Sequence, residues 1–568
     1  MKNFKIIITL SVLSLLMTYG CSTLEISEGK SLVSSKAMVV SAHPEASRIG
    51  AEILAAGGNA IDAAVAVQFA LAVCYPSAGN IGGGGFMVIR FSDGSVDALD
   101  FREKAPGLAD RDMFLDDAGE VVRNLSTETH LASGVPGSVD GMAEAHSRYG
   151  KLPWKRLVQP SVDLAEKGFI IAGKQADALN SMRRTLNSRN RNKDIRFVRE
   201  SPWKPGDLLI QPELAQTLAI IRDKGRDGFY QGQVADLIVE EMKRGNGIIS
   251  HEDLRNYRSE WRAPLSGKYR EEYEIISMAP PSSGGVALLQ LLEMTEDHDL
   301  AGMGFQTPES IHFMVEAERR VYADRAQFLG DPDFYPVPVG ELLDSQYLKT
   351  RMSGFNPERA TPSSDVSHGA IVVEESEETT HFSIVDPKGN AVAVTTTLNG
   401  SYGNGILVSG AGFLLNNEMD DFSVKAGVPN MFGLVGGEAN EIRPGKRMLS
   451  SMTPTIVVKN GNLFMIVGSP GGSTIITSVY QTIVNVIDFK MTIAEAVAAG
   501  RFHHQWLPDQ ISYERGGLDT LLTGRLSEMG HKLSSRGPIG RVDAILIGAD
   551  NKLSGAGDPR GDDFSAGF

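Results

Sequence analysis

Two short runs of strand-forming residues, Thr379–Val385 and Ala391–Thr397, stand either side of Asp386-Pro387-Lys388-Gly389-Asn390. Their apolar residues recur at every second position, the spacing of a β-strand. With a five-residue loop, Phe382 faces Val394 and Ile384 faces Val392, which makes one side of a hairpin continuously apolar. A slip of one residue would set Phe382 against Thr395 and break that face. The same register puts Thr379, His381 and Ser383 on the opposite side and Thr397 directly across from Thr379. Threonine is a favoured strand residue, so an ordinary half-buried hairpin also satisfies this pattern. A chemical reading needs one further event, a cut between Glu378 and Thr379. The freed α-amine, with a pKa of about 7.7 to 8.0, would then put a base and a hydroxyl nucleophile in one residue, with no distant histidine.

The remainder of the 568-residue chain is long enough for two to four structural units. Before residue 379 the helical patterns dominate: Glu45–Ala55, an alanine-rich helix started by Asn59 and Asp62, then Ser138–Arg148, Leu157–Lys167, Leu214–Lys224, Gln233–Arg244, Val286–Thr295 and Glu309–Phe328. After it come strand and turn signals at Gly412–Leu415, Thr455–Val458, Leu463–Val467 and Ala544–Ile547, with helices over Ser473–Ile487 and Thr492–Gly500. This order predicts an α+β chain whose sheets are assembled from both sides of residue 379 and sandwiched by helices. The acidic stretch Pro362–Glu378 reads as exposed. Four glycines, Gly82–Gly85, imply either close backbone approach or a turn with positive φ.

A formal charge of -15 excludes nucleic acid as a general partner. The basic stretch from Arg183 to Arg196 lacks interleaved aromatics and reads as a solvated helix or loop face. At the N-terminus, Lys2 and Lys5 precede the apolar run Ile6–Met17, the form of an export signal. Thr18-Tyr19-Gly20-Cys21 is similar to a bacterial lipoprotein box, with Tyr19 bulkier than usual. The reading is a signal peptide over 1–21, a linker over 22–36, and lipid on Cys21 tethering an exported protein to a membrane, favoured over an ordinary signal-peptidase site. Cys74 then has no disulfide partner, and a thiolate zinc site is excluded.

Other motifs narrow the chemistry. Gly468-Ser469-Pro470-Gly471-Gly472-Ser473 lacks the lysine of a phosphate loop, yet it leads into a helix and offers backbone N–H groups to a developing oxyanion; a plain strand-to-helix turn explains the glycines equally well. His503 and His504 are adjacent and so make poor partners on one metal. Asn416–Phe422 holds carboxylates suited to an ammonium group or to a solvated turn. Arg102 suits a substrate carboxylate or a pair with Glu103, and Ser450-Ser451 a ligand or turn backbone.

Taken together, Thr379–Gly403, Leu414–Ser423, Arg447–Ser473 and Arg501–Pro508 resemble the γ-glutamyltransferase family of N-terminal nucleophile hydrolases. The resemblance runs from about Ala37 to the C-terminus. It implies a four-layer αββα sandwich and a precursor that cuts itself into a large subunit, 37–378, and a small one, 379–568, which stay together as a heterodimer. It also implies that Thr379 is the nucleophile, oriented by Thr397. Arg102, Ser450 and Ser451 would bind the α-carboxylate of a γ-glutamyl donor such as glutathione, and Asn399, Glu418 and Asp421 its α-ammonium. Gly471 and Gly472 would hold the oxyanion, and a γ-glutamyl ester on Thr379 would pass to water or to an amino acid or peptide acceptor, with no cofactor and no metal. Residues 421–438 match the family's lid loop, where Phe432 replaces a tyrosine that bonds the residue matching Asn399; weaker lid closure and water exclusion are expected. Relatives of the same fold cleave glutaryl side chains or poly-γ-glutamate, and a non-catalytic peptide-binding lipoprotein is the alternative from another class.

Overall fold

The computed structural model describes residues 26–192, 195–367 and 379–568. Cys21 with its signal segment, and Glu378 on the upstream side of the expected cut, lie outside the described residues.

The alternation of the strands sorts the core into layers. In Met38–Ser41, Val39 packs on one side and Met38 and Val40 on the other; Phe86 and Val88 oppose Met87 and Ile89 in the same way. Val39, Met87, Ile89, Phe382, Ile384, Val392 and Val394 meet a helical layer that includes Pro44–Ala55 and Ala60–Cys74. Met38, Val40, Phe86 and Val88 instead meet Ile276, Ile456, Ile466 and Ile545 of a second sheet. The reverse side of that sheet, through Ile275, Val457, Met465 and Val467, packs on helices Gly284–Glu296, Pro308–Phe328 and Thr474–Ile487. Helix, sheet, sheet, helix is the expected αββα sandwich.

The first sheet has eight strands in the order Ser27–Gly29, Phe564–Gly567, Met38–Ser41, Thr380–Val385, Ala391–Thr397, Gly84–Arg90, Val96–Asp100 and Glu260–Arg262. The second has seven: Ser31–Ser34, Leu553–Ala556, Asp543–Ile547, Asn462–Gly468, Thr455–Lys459, Tyr273–Ser277 and Leu265–Tyr269. Both contain strands from each side of residue 379. The hairpin occupies the middle of the first sheet in the register read from its pattern, with Phe382 against Val394 and Ile384 against Val392. It is buried on both faces, because its second side looks into the space between the sheets. Asp386 closes the loop, accepting from the N–H groups of Lys388 and Asn390.

Several expectations are corrected. Strands enter from before residue 379 as expected, but two of them, Leu265–Tyr269 and Tyr273–Ser277, lie in the stretch read as helical, where outward polar residues and Gly267 disguise the strand pattern. Gly412–Leu415 is a turn with one bridge, Leu407 to Leu414, since Gly410 and Gly412 take φ of +82° and +78° and break any ladder. The start of the acidic stretch is exposed at Pro362, Ser364, Asp365 and Ser367 but anchored at two residues: Ser363 is buried, donates to Trp506 O, and receives Arg319 Nη1, while Trp506 Nε1 donates to the carbonyls of Ser363 and the buried Val366. Charge composition made that stretch look solvated, but these few side chains dock it.

Candidate active site

Thr379 precedes the strand Thr380–Val385, at the position that continues the register onto Thr397. It is 5 % exposed and, with Thr397, lines a small cleft at the end of the hairpin. The glycine run explains how the chain fits there. None of Gly82–Gly85 has positive φ, so close approach is the operative reading. A Cβ would stand 2.0 Å from Thr397 O at Gly83 and 2.3 Å from Thr395 O at Gly85. Asn80 completes the clamp: its Nδ2 donates to Thr397 O at 2.9 Å, and its Oδ1 accepts from Gly83 N at 3.0 Å and Ser138 Oγ at 2.6 Å. Thr397 Oγ1 in turn accepts from Asn399 N–H at 2.7 Å.

His381 shares the inner face with Thr379 but is not available as its base. One ring nitrogen meets Thr395 Oγ1 at 2.8 Å and the other Ser383 Oγ at 3.1 Å, and burial lowers its pKa to about 3.

The cleft gathers most of the residues that the sequence nominated: Arg102, Asn399, Asp421, Ser450, Ser451 and Gly472 line it with the two threonines. Gly471 adjoins Gly472 at the start of helix Thr474–Ile487; the pair have φ of +133° and +52°, and neither N–H has a hydrogen-bond partner among the described residues. Free N–H groups at a helix N-terminus suit a developing negative charge. Glu418 is fully buried behind Arg102 rather than on the cleft wall, and it pairs with Arg102 Nη1 at 2.6 Å. Arg102 also binds Asp421 through Nη2, while Glu103 lies 3.5 Å from Nη1. The nominated carboxylate and ammonium binders therefore neutralise one another when no ligand separates them. Burial pushes the Glu103, Glu418 and Asp421 carboxyls up, Glu103 to about 7, and neighbouring carboxylates add to this at Glu103 and Glu418, while Arg102 pulls all three down.

In the segment matched to the lid loop, Phe432 is held by its ring and its carbonyl. Phe432 is 4 % exposed and packs over Gly472, where a Cβ would meet its ring at 2.6 Å. Gln505 Nε2 holds the Phe432 carbonyl at 3.2 Å. Asn399 Nδ2, deprived of a tyrosine hydroxyl, donates to Asn417 O at 2.9 Å and approaches Met431 Sδ at 3.7 Å. Phe432 thus contributes apolar packing, and no side-chain hydrogen bond, to this loop.

Arg325, on helix Pro308–Phe328, also lines the cleft and was not nominated from the sequence. Apolar residues on every side of that helix, from Ile311 and Phe313 to Val321 and Ala323, force its charged residues to be buried as well; that was the available signal. Elsewhere among the described residues, His312, Glu316 and His531 lie close enough to share an ion. Their atoms are already engaged: the imidazoles face each other at 2.7 Å, His312 Nε2 meets Asn356 O, and Glu316 holds Arg320 and Thr361 N–H.

Comparison with known proteins decides the family. The gamma-glutamyltranspeptidase family model matches residues 46–568. The chain belongs to the gamma-glutamyltranspeptidase family. It is 48 % identical over 534 residues to the glutathione hydrolase proenzyme of Escherichia coli (strain K12), covering 94 % of this chain and 92 % of the relative. A crystal structure of Helicobacter pylori gamma-glutamyltranspeptidase is 46 % identical, with a TM-score of 0.55, covering 59 % of this chain and 96 % of that one. A cephalosporin acylase from Bacillus halodurans has a TM-score of 0.83 at 24 % identity, covering 97 % of this chain and 99 % of its own, a likeness of fold alone. Family members thus occur as proenzymes and as shorter solved chains, in keeping with a large and a small subunit from one precursor.

Proposed function

We propose that the protein is a self-processing γ-glutamyltransferase and glutathione hydrolase. The observation that carries this reading is the convergence on one small cleft of a hydroxyl nucleophile, free N–H donors and charged groups of both signs. In the precursor, Thr379 Oγ attacks the Glu378 carbonyl; the peptide C–N bond breaks as an ester forms and the Thr379 amine is freed, and water then hydrolyses the ester, giving a large subunit that ends at Glu378 and restoring the Thr379 hydroxyl. In turnover the same Oγ attacks the donor's γ-carbonyl while the amine takes its proton. Gly471 and Gly472 N–H groups hold the oxyanion, and removal of one such donor costs about 2.7 to 4 kcal/mol in known cases. The amine returns the proton to the leaving nitrogen, giving a γ-glutamyl ester and, with glutathione, cysteinylglycine. Water or an acceptor amine then releases the acyl group. Thr397 orients Thr379. Arg102, Ser450 and Ser451 take the donor's α-carboxylate, and Asn399 and Asp421, backed by Glu418, its α-ammonium.

Asp421 argues against the acylase alternative, because a glutaryl chain has no ammonium to offset that carboxylate. The N-terminal signal supports export, with Cys21 as a membrane tether; no helix among the described residues is long and apolar enough to cross a membrane.

Purified protein is expected to run as two fragments, the smaller beginning at Thr379, and Thr379→Ala as one. Release from γ-glutamyl-p-nitroanilide should far exceed that from its glutaryl analogue. A single uncut band from active material would refute the self-processing mechanism, and equal release of the two substrates the ammonium site.

A further inference from the structure

The cleft has two arginines, and they stand in different states. Arg102 is surrounded by carboxylates. Arg325 is 4 % exposed and has no carboxylate within ion-pair distance among the described residues. Its Nε donates to Ser283 Oγ at 2.9 Å and its Nη2 to Ser451 Oγ at 3.1 Å. Its Nη1 has no partner among the described residues, and the side chain lines the cleft. Burial pulls its pKa down, opposed by Tyr322 and by the more distant Asp421. A desolvated guanidinium held only by neutral hydroxyls is costly unless an anion joins it.

The contacts also dictate how the serines behave. Ser451 Oγ accepts from Arg325, so its own hydrogen is directed away from the guanidinium. Ser283 Oγ accepts from Arg325 and donates to Ser450 O at 2.6 Å, while Ser283 N–H donates to the same carbonyl at 2.7 Å. One guanidinium thereby sets both residues of the Ser450-Ser451 pair, one through its hydroxyl and the other through its backbone.

We propose that Arg325 is a positioning and specificity residue of the donor site: it turns the Ser451 hydroxyl toward the substrate's α-carboxylate, fixes Ser450, and supplies the uncompensated positive charge that selects a donor carrying that carboxylate. This rests on the reading of the cleft as a γ-glutamyl site and adds to it a residue outside the set already assigned there. Arg102, neutralised by Glu418 and Asp421, anchors the head group as a whole; Arg325 provides the net charge at its carboxylate end.

The test is competitive inhibition of γ-glutamyl-p-nitroanilide turnover by glutamate and by glutamate α-amide, in the processed wild-type enzyme and in Arg325→Lys and Arg325→Met. Wild type should prefer glutamate, and Arg325→Met should reduce that preference by about tenfold or more, the range for a lost bond to a charged group. In the same variant KM should rise at least as much, with kcat within about threefold. Arg325→Lys, which keeps the charge but not the fork, should retain an intermediate preference and still cut itself at Thr379. Should Arg325→Met fail to fold or to process, the Lys variant alone decides. An unchanged glutamate-to-amide ratio in whichever variant is processed overturns the proposal, as does an equal loss for both inhibitors. Wild-type protein inactive on γ-glutamyl-p-nitroanilide would instead remove the functional reading itself, so the two failures are distinguishable.

Discussion

At the scale of single residues, the site depends on how closely backbones can approach. The pairing of Thr379 with Thr397 was legible because period-two alternation admits only one buried register. The clamp behind Thr397 was legible only as an ambiguity, since four glycines announce a tight fit without saying against what. Asn80 and Arg325 left no such trace, for the partners that matter are distant in sequence: Thr397 is 317 positions from Asn80, and Ser283 and Ser451 are 42 and 126 from Arg325. The fit at Gly83 makes a sharp prediction. With a Cβ 2.0 Å from Thr397 O, Gly83→Ala must displace one backbone from the other. The expected cost is about 1 to 3 kcal/mol of stability, as for overpacking elsewhere. Because the displaced group is Thr397, uncut precursor should accumulate on a denaturing gel beyond what that loss explains. Full processing with unaltered kcat would show that the orientation of Thr397 is not limiting.

At the scale of elements, local patterning identified the long helices and the central hairpin, and it missed pieces whose stability comes from distant partners. The two-residue strands and the strand Leu265–Tyr269 carry too little alternation to be seen alone. Another such piece is the segment around Ser363, docked by a polar cluster in which Asp509 accepts from Ser363 N–H and pairs with Arg319, and His504 Nε2 lies 3.4 Å from Asp509. Burial foremost, and then the charge of Arg319, lower the His504 pKa from 6.5 to about 3, against the pull of Asp509. The unfolded chain therefore binds this proton first. The contribution of neutral His504 is complete above pH 6.5 and is lost progressively as pH falls toward 3. Between pH 7 and 5, wild type should lose roughly 2 kcal/mol more stability than His504→Asn. Denaturant midpoints of both proteins at the two pH values measure this double difference, and parallel pH curves would mean that His504 is already solvated in the folded state.

At the scale of the whole molecule, the placement of a cut inside an otherwise continuous core has thermodynamic consequences. Strand composition on each side of residue 379 foretold that both parts would contribute to the sheets, but sequence distance gives no measure of how deeply they interleave. In the first sheet, Met38–Ser41 and Gly84–Arg90 flank the hairpin on its two sides, and Met38–Ser41 also pairs with Phe564–Gly567. In the second, Tyr273–Ser277 pairs with Thr455–Lys459 and Ser31–Ser34 with Leu553–Ala556. Parting the two chains would expose edges in both sheets and open the core between them, so native conditions should not separate them after scission. What changes is the order of the unfolding reaction. In the uncut chain it is unimolecular; after the cut it releases two chains, and mass action stabilises the native heterodimer by about 1.4 kcal/mol per tenfold rise in protein concentration. Processed wild type should therefore show a denaturation midpoint that climbs with concentration, while uncut Thr379→Ala shows none. If the processed protein were equally insensitive, each chain would have to unfold without releasing the other, and the interleaved sheets would not be what joins them.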